Sequence, residues 1–119
     1  MKYSFVSDNL ISMSESLSVF SSQLKSQGVR EDAIFFSRLA GCELMTNAIR
    51  HGSAEATFEG EILSDRIRIT VTSADGSFAI SATLPDLLSE SGRGLYIVKS
   101  VCIGEIERNG KALTVYIKK

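Results

Sequence analysis

Apolar residues along the chain follow two rhythms. From Leu10 to Leu24 they recur every three or four positions, as Leu10, Met13, Leu17, Phe20 and Leu24. That is the spacing of a single stripe on a helix. Asp8 or Asn9 offers a cap before this run and Gly28 a stop after it, so a helix is predicted to about Gln27. A second helix is predicted from about Arg30 to His51, with Gly52 in the left-handed position just past its end. Phe35, Leu39, Leu44, Met45, Ala48 and Ile49 make it apolar on most sides, which predicts burial.

The other rhythm has a period of two. "KYSFV" reads as a short strand with Tyr3 and Phe5 on one face. "EATFEGEIL" alternates loosely. "RIRITVT" alternates cleanly, with Ile67, Ile69 and Val71 on one side and Arg66, Arg68 and Thr70 on the other. Such a strand is antiparallel and covered on one face only. Ser64-Asp65 makes the turn between these two strands. From Ala74 to Gly94 the pattern breaks into a long loop with one helical turn at "PDLLSE". A third helix is predicted from Gly94 to about Cys102, its apolar positions being Leu95, Ile97, Val98 and Val101. "GEIER" and "KALTVYIKK" then flank Asn109-Gly110, a strong hairpin signal. Blocks of helices and strands in this order predict an α+β sandwich, with helices on one face of a mostly antiparallel sheet.

Composition narrows the class. The 119 residues are 44% hydrophobic and 23% charged, which suits a single domain over residues 1–119. A net charge of -1 argues against a broad electrostatic grip on nucleic acid or an anionic membrane. No apolar run approaches the roughly 20 residues of a membrane span, and "MKYSFVSDNL" lacks the sustained apolar stretch of a secretory signal. Cys42 and Cys102 have no Cys-x-x-Cys spacing, so reduced core thiols in a cytoplasmic protein are expected.

The candidate chemistry begins within the second helix. In "CELMTNAIRHG", Glu43, Asn47 and His51 stand at intervals of four, within about 80° of helix surface. A polar row on a buried helix must find partners or face a cavity. Two readings stand side by side: a solvated helix edge ending in a structural His51, or a site. In the second, the Asn47 oxygen suits a hard cation and Glu43, one turn away, suits a general base. Further on, "SESGRGLYIVKSV" places Gly92 and Gly94 at a helix entry. Glycines there let backbone approach a ligand, and free N–H groups attract anions. Arg93 suits a phosphate, although such a stretch also serves plain capping.

Taken together, "ELMTNAIRHG", a strand ending in "SADGSF", "SGRGLYIVKSV" and "NGKALTVYI" resemble the Bergerat-fold (GHKL) ATP-binding domain, from Phe5 to Ile117. The Glu-x-x-x-Asn-Ala-x-x-His-Gly form looks most like its anti-sigma-factor branch of serine-protein kinases. The resemblance implies a two-layer sandwich in which three helices cover one face of a mostly antiparallel mixed sheet. It implies ATP and Mg²⁺ as cofactors. It carries the Mg²⁺-holding Asn of the family to Asn47, the general base to Glu43 and the phosphate cradle to Gly92, Arg93 and Gly94. Nucleotide contacts are implied further at Arg50, His51, Asp75, Gly76, Leu95 and Thr114.

Two positions depart from the family pattern. The adenine-reading Asp falls two residues before a Gly, but Ala74 stands two before Gly76 and Asp75 is one later. Ala112 and Leu113 occupy the place of a Gly-Thr pair in the last strand, with Thr114 again one later. The resemblance implies phosphorylation of an anti-sigma antagonist, sequestration of a sigma factor, or both. The alternatives are a non-catalytic partner-binding module with a degenerate pocket, or the ATP-binding half of a split histidine kinase. A homodimer is a further expectation. The first long helix is one candidate surface for it, although a single apolar stripe equally suits packing on the sheet.

Overall fold

In a computed structural model of the chain, the structure describes residues 1–51, 55–74 and 98–119. Its elements run β1 (Lys2–Ser7), α1 (Leu10–Ser26), α2 (Glu31–His51), β2 (Ala56–Ile62), β3 (Arg66–Ser73), β4 (Glu107–Asn109) and β5 (Ala112–Lys118). Residues 98–101 are helical. They belong to the predicted third helix, whose remainder lies outside the described residues, as does the predicted loop beyond Ala74. The sheet has five strands in the order β1-β2-β3-β5-β4. Each described pairing is antiparallel, so this part of the sheet is not mixed.

The period-two pattern fixes which face is covered. Phe58 and Gly60 on β2, Ile67, Ile69, Val71 and Ser73 on β3, and Leu113, Val115 and Ile117 on β5 all turn inward and are buried. Helices α1 and α2 pack together, and α2 lies chiefly on β3 with β2 and β5 beside it. The outer face is polar and paired with itself. Glu61 accepts from Arg68, Lys2 meets Glu59 at 3.0 Å, and Arg66 lies over the Tyr116 ring.

Helix α1 begins where Asn9 caps it, its side-chain oxygen accepting from Ser12 N at 2.9 Å. At its other end Gly28 takes φ +80. Val29 N donates to Leu24 O and Gly28 N to Lys25 O, both at 3.1 Å. This is a Schellman ending, and the buried pair Leu24 and Val29 gives it the usual apolar contact. The stripe is Met13, Leu17, Phe20 and Leu24; Leu10, at the helix start, is 41% exposed and not in the core. Phe20 reaches the sheet because Gly60 has no side chain: a Cβ there would lie 2.6 Å from the Phe20 ring. Tyr3, opposite Gly60 in register, stacks on Phe20, which in turn meets Phe58 edge-on at 5.1 Å.

Two expectations need correction. The apolar pattern predicts Phe35 among the residues that bury the second helix, but it is 63% exposed. It lies nine positions before Leu44, about half a turn of the helix surface away. The last hairpin turns one residue later than the Asn-Gly pair suggests. Asn109 pairs with Ala112, leaving Gly110-Lys111 as the loop. Gly110 alone takes a positive φ, +61, which is the pattern of a turn with glycine at its first central position.

Candidate functional site

The site is built on the second half of α2. Ser37, Ala40, Gly41, Leu44 and Ala48 form the arc of this helix that faces the sheet, and all are buried. Asn47 lies on the flank of that arc and is 6% exposed. Glu43, one turn earlier and roughly 40° further from the arc's centre, is half-buried. Arg50, seven residues after Glu43 and so on the same flank, is exposed. The row therefore crosses the rim of the helix–sheet contact. The amide stands inside it, the carboxylate on its edge and the guanidinium outside. Small residues along the arc allow this close seating. A Cβ on Gly41 would come within 2.8 Å of the Phe58 ring.

Chain connectivity places this half of α2 at one end of the sheet. Only residues 52–55 separate His51 from Ala56, and Ala56 pairs with Ser73 at the end of β3. Three hydrogen bonds hold that strand end to Lys111 and Glu55. Ser73 N donates to Lys111 O at 2.9 Å, Ala74 N to Glu55 O at 3.2 Å, and Lys111 Nζ to Ala74 O at 3.2 Å. Ser73 itself is fully buried and faces the helices. The alternation that turns Ile67, Ile69 and Val71 inward extends to position 73. Ala74 follows the outward set and is exposed.

Thr114 does not join the set. It pairs with Thr70 across β3 and β5, their hydroxyls 3.1 Å apart on the outer face. Successive side chains of a strand point to opposite faces, so the inward place goes to Leu113, which is fully buried. The sheet stands between Thr114 and α2. Of the other expected residues, His51 is the last residue of α2 and its side chain is outside the described set. Asp75, Gly76, Gly92, Arg93, Gly94 and Leu95 also lie outside the described residues.

Burial pushes the Cys102 thiol up to about 11, beside the core that Val98 and Val101 help to close. The hydrogen-bonded Arg66 guanidinium holds the Asp65 carboxyl below its ordinary value. Neither cysteine is in a disulfide. Among the described residues, no helix is long and apolar enough to cross a membrane.

An antiparallel sheet covered on one face by helices, with an acid and an amide one turn apart at the rim, defines a Bergerat-type α/β sandwich of the nucleotide-binding kind. The chain belongs to the histidine kinase-like ATPase domain family, whose model matches residues 6–118. ATP binding is the function that membership supports. No curated protein matches the chain.

Proposed function

We propose that the chain is a serine-protein kinase of the anti-sigma type. It would phosphorylate an anti-sigma antagonist, sequester a sigma factor, or both. The observation that carries this reading is the buried Asn47 with the half-buried Glu43 one turn before it. The amide stands on the flank of the arc that faces the sheet, and a carboxylate on the rim keeps access to an incoming hydroxyl.

The residues present fit an ATP–magnesium complex. Mg²⁺ retains waters and takes few protein oxygens, so a single amide can serve as its protein ligand. Asn47 would hold the ion, and the bound ion would supply neutralisation of phosphate charge. Glu43 would accept the proton of the target serine as its oxygen attacks the γ-phosphorus, while the bond from that phosphorus to the β–γ bridging oxygen breaks and ADP leaves. Its distance along the helix from Asn47 keeps base and phosphate anchor apart but within one turn. Phosphoryl transfer relies mainly on positioning and charge stabilisation, so so small a set is sufficient. Arg50, exposed on the same flank, would add positive charge at the rim.

Incubation with labelled ATP, Mg²⁺ and a candidate antagonist tests the reading. Transfer to serine is expected from the parent. Glu43→Ala should keep ATP binding and lose transfer, whereas Asn47→Ala should lose both. Equal transfer by Glu43→Ala would remove Glu43 as the base.

One observation favours a second reading, a partner-binding module without catalysis. The inward position on β5 holds the apolar Leu113, with the hydroxyl of Thr114 turned away. This reading gives partner binding that is indifferent to Mg·ATP, and calorimetry with ATP and Mg²⁺ separates the two.

A further inference from the structure

The two edges of the sheet are not alike. Strand β4 has three residues, all exposed and two of them charged, and a short charged edge resists pairing with another chain. Strand β1 is six residues long and pairs with β2 in unbroken register from Lys2 to Ser7. It has no bulge and no proline, and its one charge, Lys2, is turned back onto Glu59. Met1 O accepts from Ile62 N at 3.0 Å. The hydrogen-bonded pairs along this ladder are therefore Met1–Ile62, Tyr3–Gly60, Phe5–Phe58 and Ser7–Ala56. That leaves the N–H and C=O groups of Lys2, Ser4 and Val6 pointing to the free edge, where no described residue bonds to them. Side chains line the same edge with apolar surface. Tyr3 and Phe5 turn toward the helices but are only partly buried, and Val6 on the outer face is 56% exposed. Helix α1 packs on β1. Its Ser21 faces the groove toward α2. Val19, two positions earlier and so on roughly the opposite side of the helix, is 47% exposed.

We propose that the free edge of β1 takes up an extended segment of another protein, which joins the sheet as one more antiparallel strand. Only an extended backbone meets what Lys2, Ser4 and Val6 present, donors and acceptors alternating at the strand repeat of about 3.4 Å per residue. A helix has no such row, since its own backbone groups are bonded internally. In the antiparallel sense, alternate residues of the segment lie opposite Val6, Ser4 and Lys2 on the outer face. A β-branched residue suits Val6, a hydroxyl suits Ser4, and an acid suits Lys2, whose side chain is 56% exposed. The two residues between them turn inward beside Phe5 and Tyr3. An apolar side chain there extends the aromatic cluster that these two rings form with Phe58 and Phe20. The segment thus reads β-branched, apolar, hydroxyl, apolar, acid. Strand β1 does not fit this pattern itself. Laid antiparallel on β1 of a second copy about Ser4, it would set Lys2 against Val6 at both ends. The inference is independent of the proposed kinase activity.

The synthetic peptide acetyl-Ser-Val-Leu-Thr-Leu-Glu-Ser-amide is the probe, and amide hydrogen exchange of the full chain by NMR is the readout. Without peptide, the Tyr3 and Phe5 amides, bonded to β2, should be protected, while those of Ser4 and Val6 exchange fast. Saturating peptide should slow Ser4 and Val6 by about tenfold or more. N-methylation of the peptide's valine, threonine or glutamate removes a donor to the edge and should weaken binding by about tenfold. N-methylation of either leucine, whose N–H points away from β1, should leave binding unchanged. Val6→Pro removes an N–H that no described residue uses, so circular dichroism should match the parent while peptide binding falls. Absence of binding at millimolar peptide overturns the proposal. So does binding indifferent to which amide is methylated, which would mean docking by side chains alone. Protection of Ser4 and Val6 that rises with protein concentration, without peptide, also overturns it, since a second copy would then cover the edge.

Discussion

At the scale of single residues, the informative positions are polar groups inside the helix–sheet contact. Ser37 lies in the arc of α2 that faces the sheet, and its hydroxyl is buried without a hydrogen-bond partner among the described residues. Leaving such a group unsatisfied costs about 1–3 kcal/mol, and alanine also has the higher helix propensity. Ser37→Ala is therefore expected to raise stability by about 1 kcal/mol, read as a higher urea midpoint with an unchanged slope. Cys102 makes a second case. Burial raises its thiol pKa to about 11, above the ordinary thiol value, so folding favours the neutral form. The associated stability is fully present below the unfolded thiol's pKa and is lost as pH rises through about 11. In the native protein near neutral pH, alkylation of Cys102 should be slower than in urea by on the order of a hundredfold. Peptide mapping by mass spectrometry after timed labelling checks this.

At the scale of elements, close packing depends on where side chains are missing. Gly60 lies under the Phe20 ring, and a Cβ would stand 2.6 Å from two ring carbons. Gly60→Ala must push apart α1 and β2, and over-packing of this kind costs about 1–3 kcal/mol. Asn9→Ala removes the cap on Ser12 N and should cost about 1 kcal/mol. Chemical denaturation of both variants would rank them, with the glycine site the more sensitive. These elements also show what was legible in the sequence. The helix over Leu10–Ser26 and the strand over Arg66–Ser73 announce themselves because each has one buried face, which imposes a period of 3.6 or 2. Phe35 misled because an apolar residue carries no sign of which side of a helix it occupies. The hairpin turn slipped by one residue because Asn109 and Gly110 both suit a turn, and strand pairing decided between them. Glu43 and Asn47 stand out in the sequence because polar groups at helical spacing interrupt an apolar run; their places at the rim of the helix–sheet contact come from the fold. The place of Thr114 was not legible, because it depends on which face of the sheet the helices cover.

At the scale of the whole molecule, the sheet acts as a partition. Its inner face holds the apolar core and meets α2, while its outer face carries ion pairs and threonines open to water. A nucleotide held at Asn47 belongs to the inner side. Thr114, although implied by resemblance to meet the base, is bonded to Thr70 on the other. Removing the Thr114 hydroxyl should cost only the modest worth of an accessible hydrogen bond, about 0.5–1 kcal/mol. It should leave nucleotide binding unchanged. Asn47→Ala should have the reverse profile, since the amide stands on the helix side of the partition. Thermal unfolding with Mg·ATP separates the two effects. At a hundred times the dissociation constant, ligand adds about 2.7 kcal/mol to the parent. That increment should persist in Thr114→Ala and vanish in Asn47→Ala. If Thr114→Ala instead lost the increment while keeping the parent's stability without nucleotide, the ligand would be reaching the outer face. The division of labour between the two faces would then be wrong.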